Sequence, residues 1–163
     1  VEAYGTVDEL VSSMGFARSI CDNERVREET KRIQRELFTV ASVLASSEKK
    51  KGSAEVTQDM VDALTKEVQE IEAIEGILGD WALPGEDRVS AAYDVARTVC
   101  RRAERAAVRL RDSGEPVDKL AITYLNRLSD LLWLFGRLVE KDKGVDAKLR
   151  EGKDEGPSWS RAW

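Results

Sequence analysis

Apolar residues recur along this chain at the three-and-four spacing of helices, and no stretch alternates with the period of a strand. In the first segment, Ala3 to about Cys21, that spacing aligns Leu10, Met14, Ala17 and Cys21. Gly5-Thr6 leads into Asp8-Glu9, acidic residues early in the helix where its dipole favours them. From Glu24 to about Ser46 the pattern is cleanest: Val26, Ile33 and Val40 interleave with Thr30, Leu37 and Leu44. Residues 47–54, with Lys49-Lys50-Lys51, read as a solvated polar loop rather than a phosphate site. Thr57 is an N-cap for a third helix, carrying Met60, Leu64, Val68, Ile71 and Ile74 and reaching about Leu78. The Trp81-Ala82-Leu83-Pro84-Gly85 stretch is a stiff turn, because proline drives the residue before it out of the helical region. A long helix from Glu86 to Asp112 follows, broken by Ser113-Gly114-Glu115-Pro116. The last, Val117 to Lys141, has its seam at Ala121, Leu125, Leu128, Leu132, Phe135 and Val139. Five helices on short links predict an all-α, five-helix antiparallel bundle over residues 1–144. The charged remainder, 145–163, reads as a flexible tail unless Trp159 and Trp163 find a groove.

Composition narrows the chemistry. The 163 residues suffice for one domain with a real core. Charged residues make up 35% and aromatics 6%, which suits a bundle better than a sheet protein. A net charge of -5 and a pI near 5.0 leave no basic footprint, so no nucleic acid is expected. The longest apolar run, Leu131 to Phe135, is too short for a bilayer, so no membrane is expected either. Cys21 and Cys100 lie far apart with no CxxC and read as reduced thiols in a cytoplasmic protein. No signal peptide is visible, and the chain opens on Val1 rather than methionine. The sequence holds no histidine, which removes histidine-dependent triads, the Glu-x-x-His di-metal bundle site and most catalytic zinc sites. No metal-ligating residue is assigned.

The fourth helix carries the candidate chemistry. Ala92, Ala96, Val99, Ala103, Ala106 and Leu110 form its apolar stripe. Arg97, Arg101 and Glu104 fall together on the opposite side, at i, i+4 and i+7. Arginine pairs planar groups such as carboxylate and phosphate in bidentate fashion. By spacing alone this row reads as a solvated salt-bridge ladder.

Three separated stretches change that reading. They are Glu2-Ala3-Tyr4-Gly5-Thr6-Val7-Asp8-Glu9-Leu10, then Ala96-Arg97-Thr98-Val99-Cys100-Arg101-Arg102-Ala103-Glu104-Arg105, then Tyr124-Leu125-Asn126-Arg127-Leu128-Ser129-Asp130. In this order, with the Leu-Pro-Gly turn between the first two, the chain resembles the PduO-type ATP:cob(I)alamin adenosyltransferase family through about Gly144. The resemblance implies a ferritin-like, cobalamin adenosyltransferase-like bundle assembled as a homotrimer with active sites between subunits. It implies transfer of the 5′-deoxyadenosyl group of ATP to the cobalt of cob(I)alamin, with Mg2+, giving adenosylcobalamin and triphosphate. A flavin-type reductase and an adenosylcobalamin-dependent enzyme are the implied partners. The alternative is a non-catalytic bundle that binds or delivers adenosylcobalamin. The family also has a glycine- and threonine-rich segment, ahead of the Ala-Tyr-Gly-Thr motif, that wraps the triphosphate; that segment is not in this sequence.

Carried over residue by residue, the resemblance makes Arg101 the first phosphate contact, with Arg102, Ala103, Glu104 and Arg105 completing the ATP-binding run. Arg102 and Arg105 lie off the Arg97–Arg101 face, so part of that run is expected to act through packing or backbone. Asn126 matches the family's nucleotide-binding asparagine; otherwise it is a helix-interior amide bonded to a neighbouring helix. Asp8 and Arg97 match a pair that bridges two subunits near the nucleotide. Without the resemblance they are an N-terminal helix acid and an exposed arginine. Trp81 stands where the family usually has a phenylalanine under the corrin, displacing the lower axial ligand. It fills that role or is a core or turn residue.

Overall fold

The computed structural model describes residues 1–45 and 53–149 of the chain. The lysine run and the two C-terminal tryptophans lie outside them. The described residues form five helices: α1 (Glu2–Ile20), α2 (Glu24–Ala45), α3 (Gln58–Glu72), α4 (Arg88–Asp112) and α5 (Lys119–Lys143). No strand forms among the described residues; the nearest approach is an isolated bridge between Ala82 and Lys148.

Consecutive helices alternate in direction, as their cross-links show. Glu2 meets Arg109 and Glu9 meets Arg102, so α1 and α4 are antiparallel. Asn126 meets Glu104 and Lys143 meets Asp87, so α4 and α5 are too. Arg127 meets Thr65 and Lys141 meets the Glu75 carbonyl, so α3 and α5 run parallel, both being odd members of the alternation. The central helix is α5, packed by α4 and α3 with lighter contact from α2. Its predicted seam is wholly buried, and Leu131, Trp133 and Leu134 are buried on its other sides. A helix that is apolar almost all round belongs in the middle of a bundle.

The ends are chemically set. Thr57 caps α3 by accepting from the Met60 amide at 3.2 Å, an interaction worth about 1 kcal/mol. Asp87 caps α4 through the amides of Val89 and Ser90. Gly144, at φ +68°, closes α5 in the left-handed conformation that glycine tolerates best. The third helix is shorter than its pattern predicts. It ends at Glu72 rather than near Leu78, and Ile74 and Ile77 join the core from turns. Gly76 at φ +86° sets one of those turns. The chain beyond α5 does not leave at once: residues 145–149 fold back along 81–83, where Leu83 N–H donates to Ala147 O (2.7 Å) and Leu149 N–H to Trp81 O (2.8 Å).

Candidate functional site on the fourth helix

Two flanks of α4 are packed, one by α1 and one by α5. The alanine stripe spans both interfaces, but Tyr93, Asp94, Cys100 and Ala107 are also buried, so the packed arc is wider than that stripe. This corrects the expectation for Arg97 and Arg101. They do not stand clear on a solvated far side but border the packed arc, and both are half-buried. Arg97 is enclosed enough that its Nε is shut from solvent with no hydrogen-bond partner. Burial pulls its pKa below the ordinary value, aided by the fields of Arg101 and Arg137 and opposed by Asp94.

On the remaining open arc, Arg101, Glu104, Arg105, Val108, Arg109 and Asn126 line a groove of about 470 Å³. Asn126 forms the α5 wall and donates from Nδ2 to Glu104 Oε1 at 3.1 Å. This bond orients the carboxylate. Arg101 and Arg105 make no hydrogen bond or ion pair among the described residues. Two guanidiniums one turn apart therefore face a concave surface with their donors uncommitted. Such an arrangement suits a polyanion.

The candidate residues divide. Arg101, Glu104, Arg105 and Asn126 come together in the groove. Arg102 turns the other way and pairs with Glu9 on α1. Its hydrogen bond holds the Glu9 carboxyl below the usual range. Ala103 is fully buried, so only packing or backbone is open to it. Asp8 is exposed on α1, and no ion pair joins it to Arg97 within the chain. Trp81 is half-buried and lines a second cavity of about 380 Å³ that shares no residue with the groove. That cavity is bounded by Arg137, Glu140 and Lys141 of α5 and by the returning segment at Ala147 and Lys148.

Sequence reasoning missed two features. Arg109 lies outside the matched motif yet lines the same groove; the i, i+4, i+8 spacing from Arg101 was the signal that could have found it. The other is a buried charge cluster whose Arg137 and Glu140 also line the Trp81 cavity. Arg137, 6% exposed, donates from Nε to Glu140 Oε1 at 2.7 Å and from Nη2 to Asp94 Oδ2 at 3.0 Å. Its guanidinium carbon lies 4.9 Å from the Trp133 ring centre. Burial alone would lower its pKa, but the two carboxylates outweigh burial and raise it.

These elements define an all-α bundle with an uncommitted arginine groove on one helix, closed by an asparagine from the next, an arrangement suited to a polyanionic ligand. The particular family follows from comparison. A family model described as cobalamin adenosyltransferase matches residues 1–139, and the chain belongs to that family. It is 34% identical over 149 residues to a corrinoid adenosyltransferase of Citrobacter freundii, covering 90% of this chain and 84% of that one. A corrinoid adenosyltransferase of Bacillus subtilis is likewise 34% identical, over 89% of this chain and 76% of its own. Among solved structures, a variant PduO-type ATP:corrinoid adenosyltransferase from Lactobacillus reuteri, complexed with cobalamin and ATP, superposes with a TM-score of 0.84. That match is 27% identical and covers 95% of this chain and 85% of the other.

Proposed function

We propose that this protein transfers the 5′-deoxyadenosyl group of ATP to the cobalt of cob(I)alamin, and that the arginine groove on α4 holds the nucleotide. The cobalt electron pair forms the Co–C5′ bond as the C5′–O bond breaks, and the electrons leave with the triphosphate. Cob(I)alamin is itself the nucleophile, so the protein needs no nucleophile or general base of its own. Its contribution is positioning and preorganised charge. The carrying observation is that Arg101 and Arg105 face one groove without partners among the described residues, beside a Glu104 already fixed by Asn126. In this reading Arg101 and Arg105 neutralise the departing triphosphate, while Asn126 and Glu104 orient the nucleoside. Arg102 and Ala103 support the run through α1 and the core.

The remaining parts of the proposal concern assembly and companions. Asp8 is exposed and Arg97 half-buried, and neither has an ion-pair partner among the described residues, which supports their pairing across subunits of a homotrimer. Such assembly also brings one subunit's groove toward another's surface. Trp81 is proposed to lie against the lower corrin face. No group of three or more acidic or cysteine side chains gathers among the described residues, so a protein cage for Mg2+ does not fit there. The ion is proposed to arrive as the companion of ATP phosphates. No helix among the described residues is long and apolar enough to cross a membrane. Both cysteines are buried free thiols, which supports a cytoplasmic location. A flavin-type reductase and an adenosylcobalamin-dependent enzyme are the proposed partners on either side of the reaction.

The test is spectroscopic formation of adenosylcobalamin from ATP and chemically reduced cobalamin by the full-length protein. Product should accumulate. Corrinoid binding without product under saturating ATP would replace the enzyme by the carrier alternative. A solution mass equal to a monomer at micromolar concentration would sink the trimer.

A further inference from the structure

We infer that Arg109 is a further contact for the polyphosphate, held ready by Glu2 until the nucleotide arrives. This rests on the reading of the groove as the nucleotide site and extends it one turn beyond the family motif. At a rise of 1.5 Å per residue, Arg101, Arg105 and Arg109 are stacked about 6 Å apart along α4. All three line the same groove. They form a cationic track roughly 12 Å long, the dimension of an extended polyanion rather than of a single phosphate. Along α4, Asp87 and Asp94 lie toward the Trp81 end, joined there to Lys143 and Arg137. Arg109 stands at the opposite end of the helix. A nucleotide whose C5′ points toward Trp81 and whose phosphates follow the arginines reaches Arg109 with its distal phosphates.

Arg109 differs from Arg101 and Arg105 in having a counterion. Its Nη2 donates to Glu2 Oε1 at 2.7 Å, with 56% and 70% of the two side chains exposed. A pair so exposed is weak and screened by salt, so it makes a poor brace between α1 and α4. It orders the guanidinium at the rim of the groove at little energetic cost to release. A phosphate carries more charge than a carboxylate and offers the same bidentate geometry, so it displaces Glu2. Glu2 is then a competing anion, and its removal should favour the ligand.

That sign separates the proposal from a structural role. The test uses the full-length protein, with calorimetric binding of inorganic tripolyphosphate and of ATP alongside the adenosyl-transfer assay. Arg109→Gln should weaken tripolyphosphate and ATP about tenfold and raise the ATP KM in step. Glu2→Gln should move the other way and tighten tripolyphosphate about twofold to fivefold. Arg109→Lys keeps a cation in the last turn of α4 but loses the fork, and should recover only part of the affinity. Weakening by both Arg109→Gln and Glu2→Gln, with matching losses of melting temperature, would overturn the proposal and make the pair a brace. Unchanged tripolyphosphate binding in Arg109→Gln would overturn it too. If the parent protein forms no adenosylcobalamin, the function fails, while the tripolyphosphate titrations still decide the role of Arg109.

Discussion

Two neighbouring regions of α4 are built from the same residue types to opposite ends. Asp94 is locked with Arg137 and Glu140 in a cluster from which solvent is excluded. Two turns on, Arg101 and Arg105 face an open groove with no partner among the described residues. In the first region every carboxylate has a guanidinium, and nothing but Arg137 Nη1 is left over. In the second, cationic donors outnumber local acceptors. A charged cluster that satisfies itself holds helices together; one that does not awaits something else. The contrast is sharper than any motif, because it separates arginines that sequence alone treats alike.

The largest test of this contrast is Arg137→Met. It leaves Asp94 and Glu140 buried without their cation, and stability should fall by about 3–5 kcal/mol in urea denaturation. Replacing all three residues, as Asp94→Leu with Arg137→Met and Glu140→Leu, should restore most of the loss, since an apolar trio of similar volume replaces a costly desolvation. A single substitution within about 0.5 kcal/mol of the parent would show that the cluster is not load-carrying. Arg101→Lys should behave oppositely. Folding stays within about 0.5 kcal/mol, whereas kcat/KM for ATP drops at least about tenfold, the equivalent of roughly 1.5–3 kcal/mol for a charged hydrogen bond. Unchanged kinetics would return Arg101 to a solvated surface row.

Trp81 tests whether the second cavity belongs with the groove or with the structural cluster, whose Arg137 and Glu140 also line it. If its ring lies under the corrin, Trp81→Ala should slow turnover from cob(II)alamin with a weak reductant by about threefold to tenfold. Turnover from cob(I)alamin supplied already reduced should change far less, and Trp81→Phe should retain most activity. An equal loss in both assays with a lower melting temperature would make Trp81 a packing residue of the 81–85 turn.

How much of this was legible in the sequence depends on what each residue answers to. The helices and the seams of α2 and α5 follow from local periodicity, and Val26, Ile33, Leu125 and Leu132 are buried as their spacing predicts. The gathering of Arg101, Glu104, Arg105 and Asn126 was legible only through the family resemblance, because it joins two helices. Arg97 was misplaced because the packed arc of α4, which also buries Tyr93, Asp94, Cys100 and Ala107, is wider than the apolar stripe read from spacing. The Asp94–Arg137–Glu140 cluster was invisible for a related reason. A charged residue one step off a seam looks solvated until a neighbouring helix closes over it. The early end of α3 was not legible because Ile74 and Ile77 continue the helical spacing and pack on the core, although the helix has already closed at Ala73.

The smallest expected effect lies at the closed end of α4, and it isolates charge from capping. Asp87 Oδ2 accepts from the amides of Val89 (2.9 Å) and Ser90 (3.0 Å), while Oδ1 accepts from Lys143 Nζ at 3.0 Å. Burial alone would raise the Asp87 pKa, but the Ser90 amide, the Lys143 ammonium and the Val89 amide together hold it below the usual carboxylate range. A carboxyl whose pKa is lower folded than unfolded stabilises the fold fully above its unfolded value. That contribution is lost as the pH falls through the folded one. Asp87→Asn preserves the cap, since asparagine is as good an N-cap as aspartate, but removes the charge that faces Lys143 and the helix dipole. The variant should therefore be less stable at pH 7 by about 0.5–1 kcal/mol, and the gap should close below about pH 4 as the parent carboxyl protonates. Adenosyl transfer at neutral pH should be unaffected, because neither Asp87 nor Lys143 borders the groove. A stability gap that stays constant from pH 7 to pH 3 would assign the loss to capping geometry. A fall in turnover without a fall in stability would instead place this end of α4 in the same functional unit as the arginine track.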